Sequence, residues 1–314
     1  MTSACGIRKL MVFFALLFFS VLGAFSDDAL PQLTFTSESG MAFVYGKAEE
    51  IVYKSTSGTD LLSLLVYPIP PSLGAYIDME ARWRDSLLAR IKLETVWPLT
   101  SGNLTDDDWI YVSSVSDDPD VHSDSEAYLT SWIRGDFEIG TPENKPPFLV
   151  ETLFGLTYMQ MTWEGWDALQ DSGTVDFPDG VISGYVIDYR QTWLIPWIGL
   201  SVGHQKPVSI FMASIRFSPW MYVVGRDVHM ARPIPTTYID MMSGGIMISG
   251  SLSGEFGLAD NFWLVSRLSL DHCNGSRGDT IAYEVGDLNM DRYANTGGAA
   301  MNLFSMYLGF SVHP

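Results

Sequence analysis

Cysteine is nearly absent from this chain, with Cys5 and Cys273 the only two in 314 residues. Basic residues are scarce too, 18 Lys and Arg against 37 Asp and Glu. Beyond the first 26 residues, no apolar run reaches the roughly 18 residues that a membrane-crossing helix needs. The two nearest stretches fail for visible reasons: 61–76 is broken by Pro68, Pro70 and Pro71, and 148–163 carries Glu151. These shortages argue against a disulfide-stapled fold and against a helical membrane protein. An excess of acids also makes a nucleic-acid partner unexpected.

The first residues read as an address. Arg8 and Lys9 precede a charge-free apolar run over 10–25, closed by Ala24-Phe25-Ser26 and followed at once by Asp27 and Asp28. That pattern predicts a secretory signal peptide over 1–26, with retention as an anchoring helix the alternative. Its removal takes away two bases, no acids and Cys5, leaving 16 bases against 37 acids and a net charge of −21. Cys273 then has no partner within the chain. The remaining 27–314 are expected to form a single domain.

Aromatic residues, by contrast, are plentiful: ten Trp, fourteen Tyr and seventeen Phe. Their setting is strict alternation. Phe304, Met306, Leu308, Phe310 and Val312 share one face, opposite Ser305, Tyr307, Gly309 and Ser311. Ile246, Ile248, Leu252, Phe256 and Leu258 oppose Ser249, Ser251, Ser253 and Glu255. Leu87, Ala89, Ile91 and Leu93 alternate with Arg90, Lys92 and Glu94. A two-residue period with one apolar and one charged face suits a strand between lipid and a polar lumen. A β-sandwich would alternate as well, burying its apolar face against a second sheet.

Period-2 segments predict ten strands, near 38–54, 61–82, 86–99, 123–139, 147–166, 182–204, 207–226, 240–258, 260–272 and 296–312. Short connections fall at Arg84-Asp85, 140–145, 205–207 and Ala259-Asp260, and long ones at 55–60, 100–122, 167–181, 227–239 and 273–295. Short turns on one side and long loops on the other fit an all-β, ten-stranded antiparallel transmembrane barrel with the long loops outside.

Two places carry chemistry. In Thr105-Asp106-Asp107-Asp108-Trp109, an extended backbone turns Asp106 and Asp108 into one space and Asp107 into another. Carboxylates sharing a space cannot both ionise cheaply, and such a pair holds a proton or a water. Taken alone, an acidic tripeptide is usually a solvated turn. Asp227 and His229 are also two apart, and a carboxylate beside an imidazole fixes its tautomer and raises its basicity.

Both places, taken with their surroundings, resemble the omptins, outer-membrane proteases built on a ten-stranded barrel. Gly102-Asn103 leading into Asp106-x-Asp108-Trp109 is similar to that family's first catalytic segment. Ser218-x-Trp220 followed by Asp227-x-His229 is similar to its second. Gly46-Lys47 with Glu50-x-Val52-Tyr53 resembles its first strand, and Tyr189-x-Gln191 running into Pro196-Trp197-Ile198-Gly199-Leu200 its central one. The resemblance implies a surface endopeptidase with its site facing outward. His229 would be the general base, oriented by Asp227, while Asp106 and Asp108 hold the attacking water. It implies no cofactor, lipopolysaccharide as an activator, and outer-membrane lipid as a neighbour. Peptides or proteins would be substrates, and a charge of −21 would draw cationic ones to the mouth.

There are departures. Omptins cut beside basic residues held by two pocket acids. Glu50 matches the first, but the second falls on Gly225. A preference for basic residues is therefore expected to rest on Glu50, and restoring an acid at 225 should sharpen it. The positions matching the family's lipid-binding arginines are Gln160 and Thr192, both uncharged. His122, His204, His272 and His313 show no ligand spacing, so no metal is expected. Met241, Met242 and Met247 read as filler, the tryptophans other than Trp109, which the acid pair places at the site, as an interface girdle, and Asp117, Asp118, Asp120, Asp124 and Glu126 as loop decoration. The rival functions are a catalytically silent surface barrel serving as an adhesin or wall protein, and a passive pore. A pore is disfavoured because ten strands leave a lumen that side chains largely fill.

Overall fold

The computed structural model describes residues 33–313 except 57, 84–85, 111–117, 173–178, 285 and 287–288. The signal peptide at 1–26, the turn at Arg84-Asp85 and Asp117 lie outside the described residues. Among those described there is no helix; all regular structure is strand. The segments are β1 (Leu33–Tyr53), β2 (Leu61–Trp83), β3 (Leu87–Pro98), β4 (Gly102–Asp108), β5 (Val121–Lys145), β6 (Phe148–Asp171), β7 (Gly180–Lys206), β8 (Ser209–Ser218), β9 (Met221–His229), β10 (Thr236–Gly244), β11 (Ile246–Ala259), β12 (Phe262–Glu284) and β13 (Asp291–Val312).

Three pairs of segments are single strands with a break. β3 and β4 both lie between β2 and β5; β8 and β9 both border β7; β10 and β11 both border β12. The break at Pro219-Trp220 is bridged by Ser218, whose Oγ donates to the Trp220 carbonyl at 2.5 Å. The break between β10 and β11 falls at Gly244 and Gly245, whose φ of 84° and 74° a side-chain-bearing residue rarely adopts. Merged in this way, thirteen segments make ten strands. β1 pairs with β13 from Ser37↔Val312 to Val52↔Gly297, which closes the ring and leaves no edge.

The alternation lands as the sequence predicts. Leu308, Phe310 and Val312 point outward and are about half exposed, while Ser305, Tyr307 and Ser311 point inward and are buried. The outward apolar belt runs through Phe35, Met41 and Tyr45 on β1, Phe148 and Phe154 on β6, Ile198 and Leu200 on β7, and Leu252 and Phe256 on β11. Removing such rows from water is worth about 25 cal/mol per Å² of apolar area, a gain that here requires lipid.

Inside the belt the lumen is closed by charge. Arg134 is held by Asp136 at 3.0 Å and Asp271 at 2.7 Å, Arg82 by Glu151 at 2.9 Å, and Arg267 by Glu38 at 3.3 Å. Arg90 binds Glu80, and Arg216 binds Glu138. Four tryptophans, Trp132, Trp163, Trp193 and Trp197, are buried in the lumen rather than in a girdle. Each is at an inward register position, where the cross-section must be filled.

The strands also run further than expected on the side of the long loops. Asp106 and Asp108 lie in β4 and Asp227 and His229 in β9, so these residues are on strands and not in loops. β12 likewise continues to Glu284, well past the expected end at 272. Above the belt both faces of a strand meet water or polar groups. The apolar alternation that marks strands in sequence is lost there, although the backbone ladder continues. The short turns differ slightly: β5 runs to Lys145 with the turn at Pro146-Pro147, the β7–β8 turn is Pro207-Val208, and the β11–β12 turn is Asp260-Asn261.

Candidate active site

Glu50 lies five residues beyond Tyr45, the last belt residue of β1. That is on the order of 16 Å along the strand, so this level stands clear of the membrane-spanning segments. Glu50 is in register with Leu65 of β2, and Leu65 with Asp106 of β4. Asp108 pairs in the same way with Ser63. Asp106 and Asp108 both point into the lumen, and Asp107 points out, opposite His122 of β5. The Ser63 hydroxyl donates to Asp106 Oδ1 at 3.2 Å. Trp109 follows on the same ladder, its N–H donating to the Leu62 carbonyl at 2.8 Å.

Across the barrel, β9 carries the other pair. Asp227 is opposite Tyr189 of β7 and Tyr238 of β10, and His229 is opposite Ile187 and Thr236. His229 Nε2 lies 2.6 Å from Asp227 Oδ2. The imidazole packs edge-on against the Tyr238 ring, with centroids 5.2 Å apart. Arg232 Nη1 in turn donates to the Tyr238 hydroxyl at 2.7 Å. All four sequence-predicted residues, and Glu50 with them, line one cavity of about 520 Å³.

Burial sets the electrostatics. Asp106 is pushed up to about 7, first by loss of water and then by the Asp108 carboxylate. Asp108 is raised too, again chiefly by burial. Burial opposes protonation of His229, but the adjacent Asp227 carboxylate outweighs it and holds the ring above its ordinary value. Glu50 is raised by burial and by the charges on Asp227 and Asp240. The site thus keeps a proton among its acids at neutral pH, as the shared space of Asp106 and Asp108 implies.

Aromatic rings close the lumen beside these groups. Tyr67 stacks on Tyr189 with centroids 4.0 Å apart, and Trp163 leans on both. The Tyr67 hydroxyl donates to Glu50 Oε2 at 3.3 Å. Gln191 ties the wall together, donating to the Tyr189 hydroxyl and accepting from Trp193 Nε1, both at 2.9 Å.

Sequence reasoning missed several members of this cavity. Ser63, Arg232, Tyr238, Asp240 and Thr280 all line it. Parity was the available signal for two of them: Tyr238 and Asp240 share the inward face of β10 with Met242. Gln160 and Thr192 are register partners on the outer wall; two residues along β7, Arg190 is the register partner of Arg226, whose Nη1 lies 4.0 Å from Asp188 Oδ2. His122 is also more engaged than its bland reading, sitting 2.6 Å from Asp107 Oδ1 and 3.3 Å from Asp124 Oδ2.

Comparisons with known proteins agree with this architecture. No curated protein sequence matches the chain. Among solved structures, the outer membrane protease OmpT of Escherichia coli superposes with a TM-score of 0.77 at 17% identity, covering 90% of this chain and 97% of that one. The translocator domain of the autotransporter NalP from Neisseria meningitidis gives 0.39 at 11% identity, covering 97% of each chain. The P. putida toluene transporter TodX gives 0.32 at 9%, covering 90% of each. At such identities a likeness speaks for the fold, and only the first is close enough to do so. The sequence itself settles the kinship: the Omptin family model matches residues 32–313, and the chain belongs to that family.

Proposed function

We propose that this protein is an outer-membrane endopeptidase, with its site open to the extracellular side, that hydrolyses peptide bonds of peptide or protein substrates beside basic residues. The observation that carries this reading is the convergence of Asp106, Asp108, Asp227 and His229 on one cavity from opposite sides of the barrel. The chemistry is of the aspartyl type, extended by a histidine. Asp227 accepts from His229 Nε2–H, which leaves Nδ1 with the lone pair and makes it the base. Asp106 and Asp108 hold a water between them and the ring. As His229 takes one proton of that water, the water oxygen bonds to the peptide carbonyl carbon. The proton kept by the acid pair neutralises the oxygen of the tetrahedral intermediate. Its collapse breaks the C–N bond, the imidazolium gives its proton to the departing amine, and the new carboxyl group returns the other proton to the acid pair. No cofactor enters these steps.

Specificity for a basic side chain rests on Glu50, buried in the same cavity, and on the acidity of the chain as a whole. Activation by lipopolysaccharide rests on the family resemblance. With Gln160 and Thr192 uncharged, Arg190 and Arg226 are the nearby outer-wall bases that phosphates would meet.

The test is refolded protein incubated with a panel of internally quenched peptides, with and without lipopolysaccharide. Cleavage next to Arg or Lys, lost in His229→Ala, is the expected result. A correctly folded barrel that cleaves nothing in either condition would support the silent-barrel reading instead.

A further inference from the structure

Beside the proposed catalytic groups, the cavity holds a carboxylate that neither the mechanism nor the resemblance uses. Asp240 of β10 is 1% exposed. Its Oδ1 accepts from Thr280 Oγ1 at 2.5 Å, while its Oδ2 receives no hydroxyl, amide or basic donor and has only the neighbouring carboxyl of Glu50. Glu50, 3% exposed, lines the same cavity, accepts from the Tyr67 hydroxyl and lies within hydrogen-bond reach of Asp240, so that the two acids can share a proton. Among the described residues neither acid has an ion-pair partner. The bases of the lining are Lys54, His229 and Arg232; His229 is turned to Asp227 and Arg232 to Tyr238.

The backbone around Asp240 is cut to fit it. Gly225, the position that matches the family's second pocket acid, is its direct register partner on β9. A Cβ at 225 would lie 3.4 Å from Asp240 Oδ2. On the other side, a Cβ at Gly297 would lie 2.6 Å from Asp240 Oδ1, closer than real contacts allow. Gly297 thus makes room for the carboxylate, whereas a Cβ at 225 would only reach ordinary contact with it.

We propose that Asp240 is the second acid of the specificity pocket, displaced by one strand from the position left vacant at Gly225. With Glu50 it holds the guanidinium or ammonium group of a substrate side chain. Two adjoining buried carboxyls with no base between them share a proton in the free cavity, and an entering cation replaces that proton with charge-assisted bonds to both, which are the strong kind. Val52, Leu65 and the Tyr238 ring, which line the cavity, give the aliphatic stem of such a side chain an apolar wall. This inference rests on the endopeptidase reading for its kinetic consequences but not for binding.

The experiment therefore has two arms on the refolded full chain. In the first, matched peptides with Arg or Gln before the cut are compared in wild type, Asp240→Asn and Glu50→Gln. Each substitution should lower the Arg-over-Gln ratio of kcat/KM at least tenfold, acting mainly through KM. In the second, binding of an arginine peptide and of its citrulline counterpart is measured in the His229→Ala background, where no cleavage is needed. The arginine peptide should bind at least tenfold tighter, and Asp240→Asn should abolish the difference. Equal affinity for arginine and citrulline overturns the proposal whether or not Asp240→Asn folds. So does an Arg-over-Gln ratio unchanged by Asp240→Asn. If the binding difference is present but no peptide is cleaved, the pocket stands and the protease reading falls.

Discussion

Asp227 Oδ2 and His229 Nε2 lie 2.6 Å apart on the inward face of one strand, the carboxylate almost fully buried and the ring about a quarter exposed. Burial by itself would favour the neutral ring, so the raised pKa of His229 is owed to Asp227. Asp227→Asn removes that charge and leaves the burial. The acidic limb of kcat/KM should then move to lower pH, while kcat falls about 10²–10⁴-fold through loss of an oriented base. A pH–rate profile checks both. A limb that stays in place would belong to some group other than His229.

His229→Ala and Asp106→Ala should each abolish cleavage without unfolding the barrel, since neither side chain supports the lumen network. Both act on one water, so the double variant should be no slower than the worse single variant. Heat-modifiable gel migration reports the fold and residual kcat the chemistry. A double variant slower by the product of the two losses would mean that the residues act on separate steps.

How far the sequence could be read depended on where each strand lies. Within the belt, lipid outside and charge inside enforce the two-residue period, and residues such as Leu308 and Tyr307 announce their faces. Above the belt that contrast fades. β4, the end of β9 and the end of β12 were therefore expected as loops. The site pairs were still legible, because a two-residue spacing fixes a shared face on any extended backbone, strand or loop. Asp240 was not. Its role depends on Gly225, Gly297 and Thr280, which come from three other strands, and no local pattern connects them. The inward tryptophans are hidden for a similar reason: abundance of aromatics does not say which face they occupy.

Asp106 also links stability to pH. Its pKa is about 7 in the folded chain against an ordinary 3.8. Between those values the folded chain keeps a proton that the unfolded chain has released, so stability falls as pH rises through that window and levels off above it. Asp106→Asn keeps the shape and removes the ionisation. The variant should be more stable than wild type by about 2–4 kcal/mol at pH 8, with the gap closing towards pH 4. Denaturant unfolding at the two pH values measures this. A constant gap would mean that Asp106 is not the titrating group.

The final test moves one carboxylate between strands. From sequence alone, Gly225→Asp should sharpen a preference for Arg. The proposed role of Asp240 leads to the opposite expectation. The backbone at 225 is ordinary strand, but its Cβ would sit 3.3 Å from the Tyr189 hydroxyl and 3.4 Å from Asp240 Oδ2. A third acid would then crowd Glu50 and Asp240 close to Asp227, and like charges at that range repel strongly when buried. Gly225→Asp alone should lower stability and leave the Arg-over-Gln cleavage ratio no better than wild type. Asp240→Ala alone should collapse the ratio. Combined, the two changes exchange the positions of acid and gap, and the ratio should recover to within a few-fold of wild type, although each substitution is harmful singly. Such recovery is a coupling between register partners that a double-mutant cycle reads directly. A double variant as unselective as Asp240→Ala would show that the pocket depends on the strand from which its second acid comes, and that the two positions are not equivalent.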